Sequence, residues 1–345
     1  MRYFPLKDKI AKFQFGMRKE SERRARKLNN RGERDLADTI QIFEDQYESD
    51  IGIVLATSRS GCSVLHKDQV YNIPLDSIRP GNDVVVGDKV RLHRVVNNTT
   101  IKCILPRSAY LGRKDPYVPE RVRILAANID TVVVVVPALT TGIRSRLVDR
   151  LLIAAQSGGA QGMVCVTKTD LMDSESRIIL DRSLEPYRQI GIITLLTSAI
   201  TGESINELQY HLQGKLSVLV GQSGVGKSSV LNTLNPVFSI QVGDVREIDG
   251  KGRHTTTASK AYRLDQDTLV IDTPGIRQIG LIGVDGRDLK RYFPEFSGYD
   301  LVCRYSDCSH IHEPDCGVKL AVSDGYVPVP RYESYRKLAA ELGIV

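Results

Sequence analysis

The sequence predicts three kinds of structure in succession: an all-β barrel, a central α/β unit on a mostly parallel sheet, and a small C-terminal α domain stapled through cysteine and histidine. Three observations carry this. Five short β-rich runs separated by turn signals lie between residues 51 and 105. Near-continuous apolar runs then alternate with helical stretches as far as residue 272, the pattern of strands covered by helices on both faces. Beyond Pro294 the texture breaks into a dense Cys/His segment and a last amphipathic stretch, RYESYRKLAAELG.

A chain of 345 residues has room for two or three domains with genuine cores, and the boundaries fall at 1–47, 48–106, 107–296 and 297–345. The first segment is a basic arm. Residues 1–34 hold 12 Lys/Arg against 4 Asp/Glu, whereas the whole chain carries +6, so the remainder is slightly acidic. Such an arm, as a solvated helix or a disordered tail, neutralises phosphates by releasing counterions; a basic terminus without a dedicated partner is the plainer alternative. The five runs that follow, IGIVLAT, CSVLH, VYNI, KVRLHRVV and IKCIL, predict a closed barrel of the OB type, an SH3-like barrel being the other fold that gives such a string.

PRSAYLGRKDPYVPERV reads as a linker. After it come apolar strands at 131–136, 163–167, 192–197, 216–220 and 268–272, with helices at 146–156 and 226–234. Functional residues then belong in loops at the strands' carboxyl ends. The longest apolar run falls well short of the ~20 residues a bilayer crossing needs, and residues 1–12 carry no apolar h-region. The expectation is a cytoplasmic protein with no membrane partner, whose six cysteines are not a disulfide framework.

Gly221-Gln222-Ser223-Gly224-Val225-Gly226-Lys227-Ser228-Ser229 has the spacing of a phosphate-binding P-loop and lies between a predicted strand and a predicted helix. The glycines turn backbone N–H groups toward phosphate oxygens, the helix N-terminus adds its dipole, Lys227 reaches the outer phosphates, and Ser228 ligates Mg²⁺. About fifty residues on, LVIDTPGI puts Asp272 at a strand end, where it can hold the Mg²⁺ shell, with the Gly275 N–H facing a γ-phosphate. Between them, GKGRHTTTAS is a candidate for the loop whose threonine completes Mg²⁺ coordination. Of its three consecutive threonines, Thr256 is favoured.

Upstream of the P-loop, Thr167-Lys168-Thr169-Asp170 follows an apolar run. A carboxylate at Asp170 can accept from both N1–H and the 2-amino group of guanine, while the Lys168 stem lies along the purine face. Adenine offers neither donor, so Asp170 would reject ATP by being left buried and unpaired. After the next predicted strand, Ser198 and Ala199 in TSA supply amides for guanine O6. Alone, a Lys-x-Asp after a strand is most often a surface turn. The joint occurrence at successive strand ends points to guanine, and to a GTPase whose elements run base, base, phosphate, switch I, switch II. That order requires a circular permutation, which chains tolerate when the new ends open in an exposed connection.

CRYSDCSHIHEPDC spaces Cys303-x4-Cys308-x-His310-x5-Cys316, with His312 as a spare. Three thiolates and an imidazole match a closed structural Zn²⁺ site.

With permuted motifs, a barrel before them and this cluster after them, the chain resembles the RsgA (YjeQ) family, permuted GTPases of small-ribosomal-subunit maturation. The resemblance covers nearly the whole chain. It implies GTP/GDP, Mg²⁺ and one zinc ion as ligands, 16S rRNA of the 30S subunit as partner, a monomer, and hydrolysis accelerated by the subunit. Two departures stand out: Thr167 where Asn is usual, which predicts weaker nucleotide binding, and a longer basic arm. Ile276 occupies the place of the water-orienting Gln of Ras-like enzymes; the resemblance nominates His254 instead. A P-loop kinase and a non-catalytic RNA-binding adaptor are the rival readings.

Overall fold

The structure, a computed structural model, describes residues 50–74, 83–95, 98–115, 117–118, 121–236, 259–272 and 279–344. The basic arm, His254, Thr256, Gly275 and Ile276 lie outside them.

Five strands occupy the five N-terminal β-rich runs: β1 (Ile51–Thr57), β2 (Gly61–His66), β3 (Gln69–Pro74), β4 (Lys89–Val95) and β5 (Asn98–Ile104). All pair antiparallel, β3 to β2, β2 to β1, β1 to β4 and β4 to β5. Alternation along each strand sends Val54, Cys62, Val64, Ile73, Val90, Leu92 and Ile101 into one apolar cluster.

The segment read as a linker is structured. β6 (Tyr110–Lys114) and β7 (Val122–Ala127) form an antiparallel hairpin. Its proline and arginine content concealed a turn held by Asp115, whose carboxylate accepts from the Tyr117 N–H at 2.9 Å and from Arg123 at 2.6 Å.

The central unit contains β8 (Thr131–Pro137), α1 (Ser145–Ser157), β9 (Gln161–Thr167), α2 (Ser174–Gln189), β10 (Ile193–Leu196), α3 (Ile205–Leu212), β11 (Leu216–Val220), α4 (Lys227–Leu234), β12 (Lys260–Arg263) and β13 (Leu269–Asp272). This part of the sheet runs β10-β9-β8-β11-β13-β12, parallel except for β12, which pairs antiparallel with β13. β8 shows why: Val132, Val133, Val134 and Val135 are fully buried, so the strand needs helices on both sides. α1 supplies one cover with a stripe of Val148, Leu151, Leu152 and Ala155. The sheet continues past β12 into the N-terminal strands, because β1 pairs with β12 at Ala56 and Lys260.

Residues 286–302 form short 3₁₀ turns, followed by α5 (Gly317–Ser323) and α6 (Val329–Glu341). This C-terminal module has no core separate from the central unit. One apolar cluster runs from β8 and α1 through Phe293 and Phe296 to Tyr335 and Cys308. No helix among the described residues is long and apolar enough to cross a membrane.

Candidate nucleotide and metal sites

Parallel pairing brings the motifs to one edge despite their order in the chain. Val166 of β9 pairs with Leu196 of β10, Thr167 with Pro137 of β8, Val220 of β11 with Val134 of β8, and Leu219 of β11 with Asp272 of β13. The loops after residues 167, 196 and 220 therefore leave the sheet side by side, with Asp272 beside the phosphate loop.

The base-reading half is held by its own hydrogen bonds. Lys168 adopts a left-handed conformation (φ 63°) that turns the chain out of β9, and a short 3₁₀ turn, Thr169–Leu171, follows. The Asp170 carboxylate accepts from Ser198 Oγ at 2.6 Å. Ser198 Oγ in turn accepts from the N–H groups of Ile200 and Thr201. The two loops named by the sequence are thus joined through the carboxylate that would face the base. Ala199 lies in the second of them.

In the phosphate-binding half, Gly226 (φ 102°) caps α4 and lies against Thr167, where a β-carbon would stand 3.4 Å from Thr167 Oγ1. Gly221 is more confined: a β-carbon there would come within 2.2 Å of the Val135 carbonyl oxygen, so the loop hugs the end of β8 only with glycine. Lys227 folds over this loop and donates to the carbonyls of Gly221 and Gln222 at 2.9 and 3.0 Å. Burial lowers its ammonium pKa, while Asp272 opposes the shift.

Two side chains of the base motif reach the phosphate loop. Thr167 Oγ1 donates to the Val225 carbonyl at 2.5 Å, and Lys168 Nζ donates to the Gly224 carbonyl at 2.8 Å. Thr167, the departure from the usual Asn, is thereby a direct tie between the halves. Sequence reasoning named both residues but missed this tie, and it missed Glu203 and Arg177 behind the base motif, for which no local pattern stands out.

In the C-terminal module, Cys303, Cys308, His310 and Cys316 bring their ligand atoms within 4.8 Å of one another. The His310 Nδ1 to Cys316 Sγ, His310 Nδ1 to Cys303 Sγ and Cys303 Sγ to Cys316 Sγ separations are 3.4, 3.6 and 3.9 Å. Zn–S and Zn–N bonds of about 2.3 and 2.0 Å in a tetrahedron imply edges of roughly 3.5–3.8 Å. The donor set therefore fits a tetrahedral soft ion. Burial pushes the Cys308 thiol up to about 12, so a cation is needed to hold thiolates there. His312 is exposed and outside the group. All six cysteines are free of disulfides.

Comparison with known proteins gives the family. The model of the RsgA GTPase family matches residues 104–282. The small ribosomal subunit biogenesis GTPase RsgA of Histophilus somni (strain 2336) is 37% identical over 264 residues, 75% of each chain. The chain belongs to the RsgA GTPase family. A relative of the same description from Actinobacillus pleuropneumoniae serotype 5b (strain L20) is 32% identical over 329 residues, 93% of this chain and 94% of its own. Among solved structures, YjeQ from Thermotoga maritima superposes with a TM-score of 0.68 at 29% identity, covering 85% of this chain and 98% of its own. YloQ, a circularly permuted GTPase, gives 0.65 at 26% identity, covering 85% and 94%. As a member of the RsgA GTPase family, this protein is a GTP hydrolase with permuted motifs, which accounts for a base motif ahead of the phosphate loop.

Proposed function

We propose that this chain acts in the cytoplasm as a monomer, binding 16S rRNA of the 30S ribosomal subunit late in its maturation and hydrolysing GTP when the subunit stimulates it. The observation that carries the nucleotide reading is the Asp170 carboxylate, held by Ser198 at the strand edge that also bears the phosphate loop. On this reading Asp170 accepts from the guanine edge, Lys168 lies along the ring, and the loop with Ser198 and Ala199 meets O6. Residues 221–229 cradle the phosphates, and Lys227 exchanges its two carbonyl partners for phosphate oxygens. Thr167 and Thr169 hold the base motif against its neighbours.

The hydroxyl of Ser228 and carboxylate of Asp272 are hard oxygen donors suited to Mg²⁺, with Thr256 the third candidate. Bound there, Mg²⁺ would offset charge on the β- and γ-phosphates. Gly275 is assigned to the γ-phosphate and His254 to orienting water, since Ile276 offers no polar group. Cys303, Cys308, His310 and Cys316 are assigned to one structural zinc ion. The pairing of β1 to β5 supports a barrel of the OB type, which with the C-terminal module and the basic arm would contact RNA. Residues 1–47, 48–106, 107–296 and 297–345 are the corresponding units.

Multiple-turnover GTP hydrolysis with and without purified 30S subunits tests the reading. Subunits should raise the rate many-fold, Lys227→Ala should abolish binding, and His254→Ala should remove the stimulated rate. Comparable affinity for ATP would favour a kinase, and binding without turnover would leave an RNA adaptor.

A further inference from the structure

The base motif has a difficulty that its own residues do not resolve. Lys168, which is not glycine, sits in the left-handed region, and such a turn persists only where its surroundings fix it. The next residue, Thr169, is buried. Its N–H donates to the Thr197 carbonyl at 3.3 Å. Its hydroxyl lies 3.1 Å from the same carbonyl and 2.6 Å from Glu203 Oε2. A hydroxyl has one hydrogen, and the nearer, charged acceptor takes it.

Glu203 is fixed from two further sides. Its carboxylate pairs with both terminal nitrogens of Arg177 on α2, and its backbone carbonyl accepts from the Ser198 N–H at 3.3 Å. One residue thus ties the turn carrying Asp170, the loop carrying Ser198 and the first turns of α2. Arg177 and the Thr169 hydroxyl hold Glu203 ionised, its pKa lowered first by the Arg177 hydrogen bond. Asp170 stands close enough to act against that, and the Arg177 cation offsets this like-charge repulsion.

We infer that Glu203 is a positioning residue for guanine recognition, acting through Thr169 to set the turn that presents Asp170. This rests on the reading of Asp170 as the guanine acceptor. Because the base edge is the same in substrate and product, the effect falls equally on GTP and GDP and leaves the chemical step alone.

The full-length protein with Glu203→Ala should bind GTP and GDP about tenfold more weakly, the loss expected for one charge-assisted hydrogen bond. KM for GTP should rise to match, with kcat at saturation changed less than twofold. Preference for GTP over inosine triphosphate, which lacks the 2-amino group, should narrow. Glu203→Gln, which keeps an acceptor for Thr169, should recover part of the loss, and Thr169→Val, which keeps the shape but not the hydroxyl, should reproduce it. The inference is overturned if Glu203→Ala and Thr169→Val both bind nucleotide within twofold of the parent, or if the loss falls on GTP alone. Asp170→Asn tested with xanthosine triphosphate separates the two claims: no gain in binding would remove the guanine reading itself, whatever Glu203 does.

Discussion

The two junctions that flank the GTPase unit are built differently. On the C-terminal side the joint is made by side chains. Arg331 of α6 is 3% exposed and pairs with Asp149 of α1, which is fully buried, and with Glu295 at 2.6 and 3.2 Å. Its guanidinium also lies over the rings of Phe293 and Tyr187, 4.6 and 5.0 Å from their centroids. Tyr332 and Tyr335, from the same helix, donate at 2.7 Å to the carbonyls of His310 and Ser309 in the Cys/His loop. One helix therefore fastens the Cys/His cluster to the helix that follows β8.

On the N-terminal side the joint is mostly backbone. Val86 bridges to Ala126, the Ala127 N–H donates to the Val86 carbonyl at 2.9 Å, and β1 meets β12 at Ala56 and Lys260. The buried Asn128 side chain completes it, donating to the Gly87 carbonyl at 2.9 Å and accepting from the Ser108 N–H at 3.0 Å. A joint of main-chain bonds tolerates most side-chain changes. One that encloses a charge does not, because removing either partner strands the other in a medium that cannot solvate it.

Substitution series can break this contrast. Arg331→Met should cost the most, about 3–5 kcal/mol in urea unfolding, because Asp149 and Glu295 lose their cation; adding Asp149→Leu and Glu295→Gln should recover most of it. Asn128→Ala should cost about 1–3 kcal/mol by orphaning buried backbone groups, with its left-handed φ of 54° adding to the loss.

Glu313 gives a smaller, pH-dependent effect. Burial opposes ionisation, but hydrogen bonds from Ser309 and the Ile311 N–H hold its carboxyl down to about 2, against an ordinary value of 4.5. Its contribution is therefore present above pH 4.5 and lost as pH falls toward 2. Glu313→Gln should flatten the melting temperature across that window. Smallest of all is Asp68→Ala. Its 2.8 Å pair with Arg263 is solvent-exposed on the carboxylate side, so stability should stay within about 0.5 kcal/mol. A large loss there would mean that the N-terminal strands are held by their rim rather than by their backbone.

Much of the candidate nucleotide site was legible because its elements are local. A P-loop is a run of glycines ahead of a helix, and the base motif is four consecutive residues after an apolar strand. The Cys/His cluster was legible for the same reason, its four side chains lying within fourteen residues. Residues that act at a distance were not. Thr167 bonds Val225, 58 positions away, and Arg331 pairs with Asp149 across 182, separations at which local spacing carries no signal. The β6–β7 hairpin was lost for another reason, since its turn residues outweighed a short alternation of apolar side chains.

The sequence by itself determined the chemistry available: which oxygens, thiols and amines exist, and that the Lys-x-Asp motif precedes the glycine-rich loop. Tertiary structure decided which of them meet. Parallel pairing of β8, β9, β10, β11 and β13 sets the loops at one edge regardless of chain order. A shared apolar cluster, rather than a core of its own, seats the C-terminal module. The reason is physical: hydrogen-bond register and apolar burial act between whichever strands and helices are adjacent in space, and neither depends on where the chain was opened.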